Sequence, residues 1–245
     1  MSTPENMPPG AEAMASYAAE LGAEAERYWA RNRGRFAELM NVVDRLAQDR
    51  QVARVLDIGA SFQTRWLAHR RPDWQIDTLG FEDRRFTLPA PSRHWDFDLN
   101  VSDQPNRPAA PAEGYDLILF LEVIEHLHTA PRLVLAALRE WMRPGGLMVV
   151  STPNALWLKH RIKLLTGRHP FEQIREDRGN PGHFREYTAP ELAVIAQGAG
   201  LAVEQVDVRC LYGFTGAKDR VYARIASWLG PSFCRDMTLV LRRPD

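Results

Sequence analysis

The sequence of 245 residues has only two cysteines, no net charge and no long hydrophobic run. Cys210 and Cys234 match neither a CxxC motif nor zinc-ligand spacing, so we expect buried, reduced thiols. Equal numbers of basic and acidic residues, 31 of each, give no overall attraction to nucleic acid or membrane. No apolar run approaches the roughly 20 residues of a membrane span, and residues 1–10 lack a signal-peptide pattern. We therefore expect a soluble, cytoplasmic protein.

The length and composition predict one α/β domain that begins after a short, polar start. Residues 1–10 are rich in proline and are predicted to be disordered, and residues 11–245 form the predicted domain. Residues 11–48 are rich in Ala, Glu and Leu at helical spacing. They predict two N-terminal helices with a break near residues 31–35, where Gly34 interrupts good helix formers.

Strand and helix patterns alternate over the middle of the chain. The predicted strands are 52–60, 74–83, 93–100, 115–121 and 147–154, and the predicted helices are 61–71, 131–142 and 188–201. This alternation is typical of a mostly parallel sheet covered by helices on both faces. Between the last two predicted strands, 203–210 and 234–243, no clear helical pattern is present, which predicts an antiparallel pair.

An acidic residue follows each of four predicted strands. These residues are Asp57, Glu82, Asp98 and Glu122. Because open α/β sheets bind ligands at the carboxyl ends of their strands, we expect these side chains to share one rim of the sheet. The sequence therefore predicts the functional site at this rim.

Four motifs, in this order, resemble those of class I S-adenosylmethionine-dependent methyltransferases. They are "VLDIGA", "YDLILFLEVIEHL", "LREWMRPGGLMVVSTPN" and "HFREYTAPELAVIAQGAGL", and the resemblance covers residues 50–210. It implies a Rossmann-like seven-stranded, mostly parallel sheet with an antiparallel last strand, the N-terminal helices and a small inserted cap at residues 154–189. It also implies methyl transfer from S-adenosylmethionine.

The resemblance implies a set of cofactor-binding residues. They are Asp57, Gly59, Ala60, Glu82, Asp98, Leu99, Leu121 and Glu122. A carboxylate such as that of Glu82 can accept from both ribose hydroxyls, and Asp83 is the alternative. The family's first motif reads D-x-G-x-G-x-G, whereas Ser61 and Gln63 stand here at the second and third glycine positions. This departure predicts a narrower or weaker cofactor pocket.

The motif "EVIEH" predicts the catalytic residues. Glu122, Glu125 and His126 would share one face of a helix at spacing i, i+3 and i+4. Two carboxylates and an imidazole suit Mg²⁺ or another divalent cation, and the resemblance implies His183 as a fourth ligand. Two other interpretations stay open, namely His126 as a general base, with Glu125 and His183 beside it, or a purely structural cluster.

The acceptor is the least defined part of this interpretation. Residues 154–189 contain a basic, amphipathic segment that forms either a cap or a contact for an anionic or lipid-linked acceptor. We expect O-methylation of a hydroxyl on a sugar, glycan or natural product. One alternative is methylation of the 2′-hydroxyl at an RNA end, which the absence of net positive charge argues against. The other is a non-catalytic scaffold, suggested by Ser61 and Gln63.

Overall fold

The computed structural model describes residues 8–48, 50–177, 181–211 and 217–245. The helices of these residues are α1 (Ala11–Glu20), α2 (Ala23–Gln48), α3 (Phe62–Arg70), α4 (Pro131–Trp141), α5 (Leu158–Leu165), α6 (Ala189–Gly198) and α7 (Ala217–Leu229). The strands are β1 (Arg54–Ile58), β2 (Gln75–Gly80), β3 (His94–Asp96), β4 (Tyr115–Leu121), β5 (Met142–Pro153), β6 (Ala202–Arg209) and β7 (Asp236–Arg242). None of these helices has the length and apolar character needed to span a membrane.

The strands form one sheet in the order β3-β2-β1-β4-β5-β7-β6. The pairs from β3 to β5 are parallel, and β7 is antiparallel to both of its neighbours. The predicted Rossmann-like sheet with an antiparallel last strand is therefore confirmed. The parallel order places the carboxyl ends of β1, β2 and β4 at one rim, as expected from the positions of the acidic residues.

Helices cover both faces of the sheet because the central strand is buried on both sides. Every residue of β4 is buried, and its side chains alternate between two cores. Ile118 and Phe120 pack with α4 and α6, whereas Leu117 and Leu119 pack with α2 and α3. The central strands are therefore held rigidly between two helical layers.

The predicted break in the N-terminal helices is in the wrong place. The helix α2 continues through Gly34, and the chain instead turns at Gly22, which has a φ of 101°. A Cβ atom on Gly34 would lie 3.2 Å from the carbonyl oxygen of Leu211. This glycine therefore permits a close approach of two backbones and does not end the helix.

The predicted disorder does not extend over all of residues 1–10. Residues 1–7 lie outside the described residues, but residues 8–10 pack against α3. The indole Nε1 of Trp66 donates to the carbonyl oxygen of Pro9 at 2.7 Å. A Cβ atom on Gly10 would meet the same indole at 2.8 Å, so the chain is fitted closely there.

The expectation of reduced cysteines is wrong, because Cys210 and Cys234 form a disulfide. Arg209 at the end of β6 lies opposite Asp236 at the start of β7. This antiparallel register brings the two cysteine Cα atoms to 4.8 Å. Their sequence separation of 24 residues gives no sign of this proximity.

The helix α7 between β6 and β7 was not predicted. Its buried positions are the small residues Ala223 and Ala226, whereas Val221, Ile225 and Trp228 are exposed. A helix that buries alanines and exposes large apolar side chains does not show the usual amphipathic pattern of a core helix.

Candidate functional site

A cavity of about 260 Å³ lies at the carboxyl rim of the sheet, between α2 and the ends of β1, β4 and β7. Gly59 and Ala60 line it from the loop after β1, and Leu121 and Glu122 line it from the end of β4. The helix α2 contributes Arg35, which sequence reasoning did not identify. The cavity therefore brings together part of the predicted cofactor set and one partly buried cation.

The loop after β1 needs a glycine at position 59. Gly59 has a φ of 74°, which L side chains rarely adopt, and its N–H donates to the carbonyl oxygen of Leu79 at 2.9 Å. A Cβ atom here would approach Val123 Cγ2 to 3.2 Å. The bare backbone thus leaves space for a ligand between β1 and β4.

Asp57 supports the loop after β1 and is completely buried. Its Oδ2 accepts from Thr64 Oγ1 at 2.5 Å, and Thr64 Oγ1 accepts from the N–H of Ser61 at 2.8 Å. Burial raises the pKa of Asp57 to about 7, against the opposing hydrogen bonds from Thr64 and Gln63. The structure therefore places Asp57 as a support of the loop, without a surface in the cavity.

The two residues that replace motif glycines stabilise the loop. Gln63 is buried, and its Nε2 donates to the carbonyl oxygen of Gly59 at 3.2 Å. Ser61 lies directly before α3, and both residues line the cavity. The Gln63 side chain therefore holds the loop in place, which a glycine would not do.

The acids that follow β2 and β3 lie further along the same rim. Glu82 is exposed and makes no hydrogen bond or ion pair with any described residue. By contrast, Asp83 accepts from Arg85 Nη2 at 2.6 Å. Asp98 Oδ1 accepts from the N–H of Asn100 at 2.8 Å, and Leu99 beside it is buried. Glu82 is therefore the more available of the two candidate ribose acids.

Glu122 has a backbone conformation that is rare for a residue with a side chain. Its φ is 55°, and its N–H donates to the carbonyl oxygen of Ser151 at 2.8 Å. The side chain forms an ion pair with Arg35 and accepts from Ser151 Oγ at 3.1 Å. Burial raises the pKa of Glu122, but the charges of Arg35 and Arg235 outweigh this effect and leave the pKa below its usual value. Left-handed backbone at a bulky residue is a feature of functional sites.

Glu125 lies in the interior with one oxygen unpaired. Its Oε2 accepts from Thr152 Oγ1 at 2.8 Å, whereas Oε1 has no hydrogen-bond partner among the described residues. Burial, followed by the negative charge of Glu122, raises the pKa of Glu125 to about 8. The carboxyl group therefore holds a proton near neutral pH unless a cation or donor meets Oε1.

His126 presents one free ring nitrogen. Its Nδ1 lies 2.8 Å from the carbonyl oxygen of Gly182, and a carbonyl only accepts, so Nδ1 carries the proton. Its Nε2 then has a lone pair and lies 4.0 Å from Glu125 Oε1. Burial lowers the pKa of His126 despite this hydrogen bond, which favours the neutral ring.

His183 meets this ring from the inserted segment. The ring centroids of His126 and His183 are 4.9 Å apart, at an interplanar angle of 81°. His183 Nδ1 donates to Glu186 Oε1 at 2.9 Å. Burial lowers the pKa of His183, but the hydrogen bond to Glu186 and the nearby negative charges raise it above its usual value.

Glu186, three residues after His183, was missed by sequence reasoning. It is almost fully buried, and its Oε2 lies 3.4 Å from Nδ1 of His160 in α5. The Nδ1 of His160 also lies 3.1 Å from the carbonyl oxygen of Ala155. Glu186 thus connects the site to the buried side of the inserted helix.

The structure brings together three of the four predicted metal ligands. Ligand atoms of Glu125, His126 and His183 all lie within 4.8 Å of one another, while Glu122 pairs with Arg35 instead. The predicted common helical face is wrong, because only Ile124–His126 form a short 3₁₀ helix. The backbone N–H of Glu122 stays hydrogen-bonded to Ser151 in β5, so its side chain points in a different direction from those of Glu125 and His126.

Comparison with known proteins agrees with this fold. A family model described as a methyltransferase domain matches residues 28–206, which is more than half of the chain. Together with the sheet order, this match identifies the family as the class I S-adenosylmethionine-dependent methyltransferases. The chain belongs to this family.

Curated relatives match only parts of the chain. A probable S-adenosylmethionine-dependent methyltransferase of Mycolicibacterium smegmatis is 35% identical over 94 residues, which are 38% of this chain and 31% of that protein. A ubiquinone biosynthesis O-methyltransferase of Cereibacter sphaeroides is 50% identical over 108 residues, or 42% of each chain. The matched stretches are therefore less than half the length of these relatives.

Solved structures share the fold at low identity. A methyltransferase from Archaeoglobus fulgidus has a TM-score of 0.56 at 15% identity and covers 84% of this chain and 92% of its own. One from Mesorhizobium loti has a TM-score of 0.54 at 17% identity, covering 82% of this chain and 96% of its own. These similarities concern the fold alone.

Proposed function

We propose that the protein transfers a methyl group from S-adenosylmethionine to the oxygen of a hydroxyl acceptor. One observation carries this proposal. The cavity beside Gly59 and the free imidazole nitrogen of His126 both lie at the carboxyl end of β4, so a methyl donor and a proton acceptor can face each other there. Alignment of donor and acceptor is the main work left to such an enzyme.

The rim offers candidate contacts along the length of the cofactor. Gly59, Ala60 and Leu121 would supply a close, apolar approach, Glu82 a carboxylate for the ribose, and Asp98 with Leu99 contacts for the adenine. Arg35 is a partly buried cation of the cavity and would meet the methionine carboxylate, with Glu122 holding the guanidinium in place. When bound, the cofactor supplies an electrophilic methyl group on a sulfonium.

His126 acts as the general base in this proposal. Its Nε2, which carries no proton, would take the proton of the acceptor hydroxyl. Glu125 and His183 surround this nitrogen, and the Glu186 hydrogen bond fixes which nitrogen of His183 faces the acceptor. Thr152 in turn holds the carboxyl group of Glu125.

A divalent cation is the second candidate for handling the acceptor proton. The unpaired Oε1 of Glu125 and the nearby nitrogens of His126 and His183 form a donor set that suits such an ion. A bound ion would lower the pKa of the acceptor hydroxyl. Activity that survives exhaustive chelation would support His126 as the base, and activity restored only by a divalent ion would support the cation.

The proposed acceptor is a hydroxyl on a sugar, glycan or natural product, and the proposed location is the cytoplasm. The relatives named as ubiquinone biosynthesis O-methyltransferases support an oxygen acceptor. The equal numbers of positive and negative residues give no support to an RNA substrate.

Calorimetric titration with S-adenosylmethionine tests the cofactor site. We expect binding by the unaltered protein and about 10-fold weaker binding after Glu82→Gln, because a hydrogen bond to a charged group contributes ~1.5–3 kcal/mol. The matched control is Asp83→Asn. The Asp83 carboxylate already pairs with Arg85, so this substitution should leave cofactor affinity unchanged. Absence of binding at millimolar cofactor would favour the non-catalytic scaffold.

A further inference from the structure

Large apolar side chains are exposed along the inserted helix and along α7. On α5, the relative exposures of Ile162 and Leu165 are 49% and 87%. On α7, Val221, Ile225 and Trp228 are exposed by 59%, 47% and 83%, at the spacing i, i+4 and i+7 of one helical face. A cluster of this kind on a protein surface marks an interaction site.

The helices α5 and α7 contact each other through Tyr222. The backbone N–H of Lys159 in α5 donates to the hydroxyl of Tyr222 in α7 at 2.9 Å. The ring of Tyr222 also packs against Trp157 with centroids 6.0 Å apart. We call the exposed side chains of the two helices the α5–α7 surface, which consists of Ile162, Leu164, Leu165, Val221, Ile225 and Trp228.

The residues around this surface are basic. Residues 158–165 and 220–229 contain five cations and no Asp or Glu, the cations being Lys159, Arg161, Lys163, Arg220 and Arg224. Arg161 and Lys163 donate hydrogen bonds to carbonyl oxygens, so no carboxylate neutralises their positive charge in these hydrogen bonds. Exposed apolar side chains flanked by cations are the pattern of helices that lie in an anionic lipid interface.

The opposite side of α5 faces the site. His160 is buried and lies 3.4 Å from Glu186, which accepts from His183. A partner that binds the outer side of α5 would therefore be separated from the His126–His183 pair by the thickness of this one helix.

We propose that the α5–α7 surface docks on an anionic phospholipid bilayer. Trp228 and Leu165 enter the interface, and the surrounding lysines and arginines meet the lipid phosphates. The proposal rests on the proposed function in one respect, because the docked enzyme would methylate an acceptor carried by a lipid.

Co-sedimentation with vesicles tests the docking. We expect binding to phosphatidylcholine vesicles that contain phosphatidylglycerol, little binding to phosphatidylcholine alone, and weaker binding as salt is raised. The double variant Leu165→Ser and Trp228→Ser should bind at least ~10-fold more weakly, because it removes two apolar side chains from the interface. The variant Arg220→Ser and Arg224→Ser should bind roughly 25-fold more weakly, since each cation near an anionic surface strengthens binding about five-fold.

A valine on another face gives a matched control. Val194 in α6 is exposed by 67%, similar to Val221, so Val194→Ser should bind vesicles as the unaltered protein does, whereas Val221→Ser should bind more weakly. Equal binding by all variants, or no binding to anionic vesicles at low salt, would overturn the proposal. A dimer in light scattering that Trp228→Ser dissociates would assign the surface to a second copy instead. Calorimetric titration of the same samples with S-adenosylmethionine, without vesicles, keeps failure of docking distinct from failure of the cofactor site.

Discussion

At the scale of single residues, the two site histidines are distinguished by what their Nδ1 atoms meet. His126 donates to a backbone carbonyl, and His183 donates to the buried carboxylate of Glu186. The motifs predicted both histidines, but Glu186 could not be ranked above other acids without its burial. Carboxylate–histidine pairs of this kind fix the ring orientation and raise the basicity of the imidazole.

Glu186 is expected to position His183 for the reaction. We predict that Glu186→Gln lowers kcat by about 10–100-fold, the usual effect of losing such a support, while cofactor affinity stays unchanged. The ¹⁵N shifts of the His183 ring should show a changed tautomer balance, which a merely structural role would not produce. Glu140→Gln is the control, because Glu140 in α4 is exposed and pairs with Arg107 at the surface. Unchanged ring shifts and an unchanged kcat would contradict this role.

Asp57 is expected to make stability depend on pH. Its folded pKa of about 7 lies above the ordinary value of 3.8, so the folded state holds the proton more tightly. Its contribution to folding is therefore unfavourable above pH 7, and this cost is relieved as pH falls from about 7 toward 4. We predict that Asp57→Asn raises the free energy of unfolding by a few kcal/mol at pH 8 and by much less at pH 5, measured by urea unfolding. A stabilising effect of Asp57→Asn that grows as the pH falls would contradict the raised pKa of Asp57.

At the scale of elements, the sequence pattern predicted the strand β4 but not the conformation of the segment after it. The strand itself was predicted with its observed bounds, because five apolar residues in succession predict a doubly buried strand. The spacing of Glu122, Glu125 and His126 then suggested a helix, but spacing does not reveal that Glu122 stays bound to β5. Arg35 was also missed, because one arginine among several in α2 gives no sign that it lines the cavity.

The ion pair between Arg35 and Glu122 is expected to hold α2 against β4. We predict that Arg35→Leu lowers the free energy of unfolding by ~1–3 kcal/mol, because the partly buried Glu122 carboxylate loses its ion pair and keeps the hydrogen bond from Ser151. The double variant Arg35→Leu and Glu122→Leu should regain much of this loss. Chemical denaturation of both variants measures the difference, and a double variant less stable than Arg35→Leu would contradict this interpretation.

At the scale of the whole molecule, strand–helix alternation predicted the sheet and its acidic rim. Hydrophobic periodicity did not find α7, whose buried positions are alanines, nor the disulfide that joins its two flanking strands. The rim could be predicted because the ends of parallel strands meet by topology alone. The resemblance predicted that His183 of the inserted segment joins the rim, but not the backbone contact beside it, in which the N–H of Phe184 donates to the carbonyl oxygen of Glu125 at 2.8 Å.

The central claim is that one rim holds the methyl donor beside His126. A crystal structure with S-adenosylhomocysteine tests it most directly. We predict the ribose hydroxyls on Glu82, the homocysteine carboxylate near Arg35 and the sulfur on the side of the cavity that faces His126. A nucleoside bound away from Gly59 and Glu82 would contradict this claim.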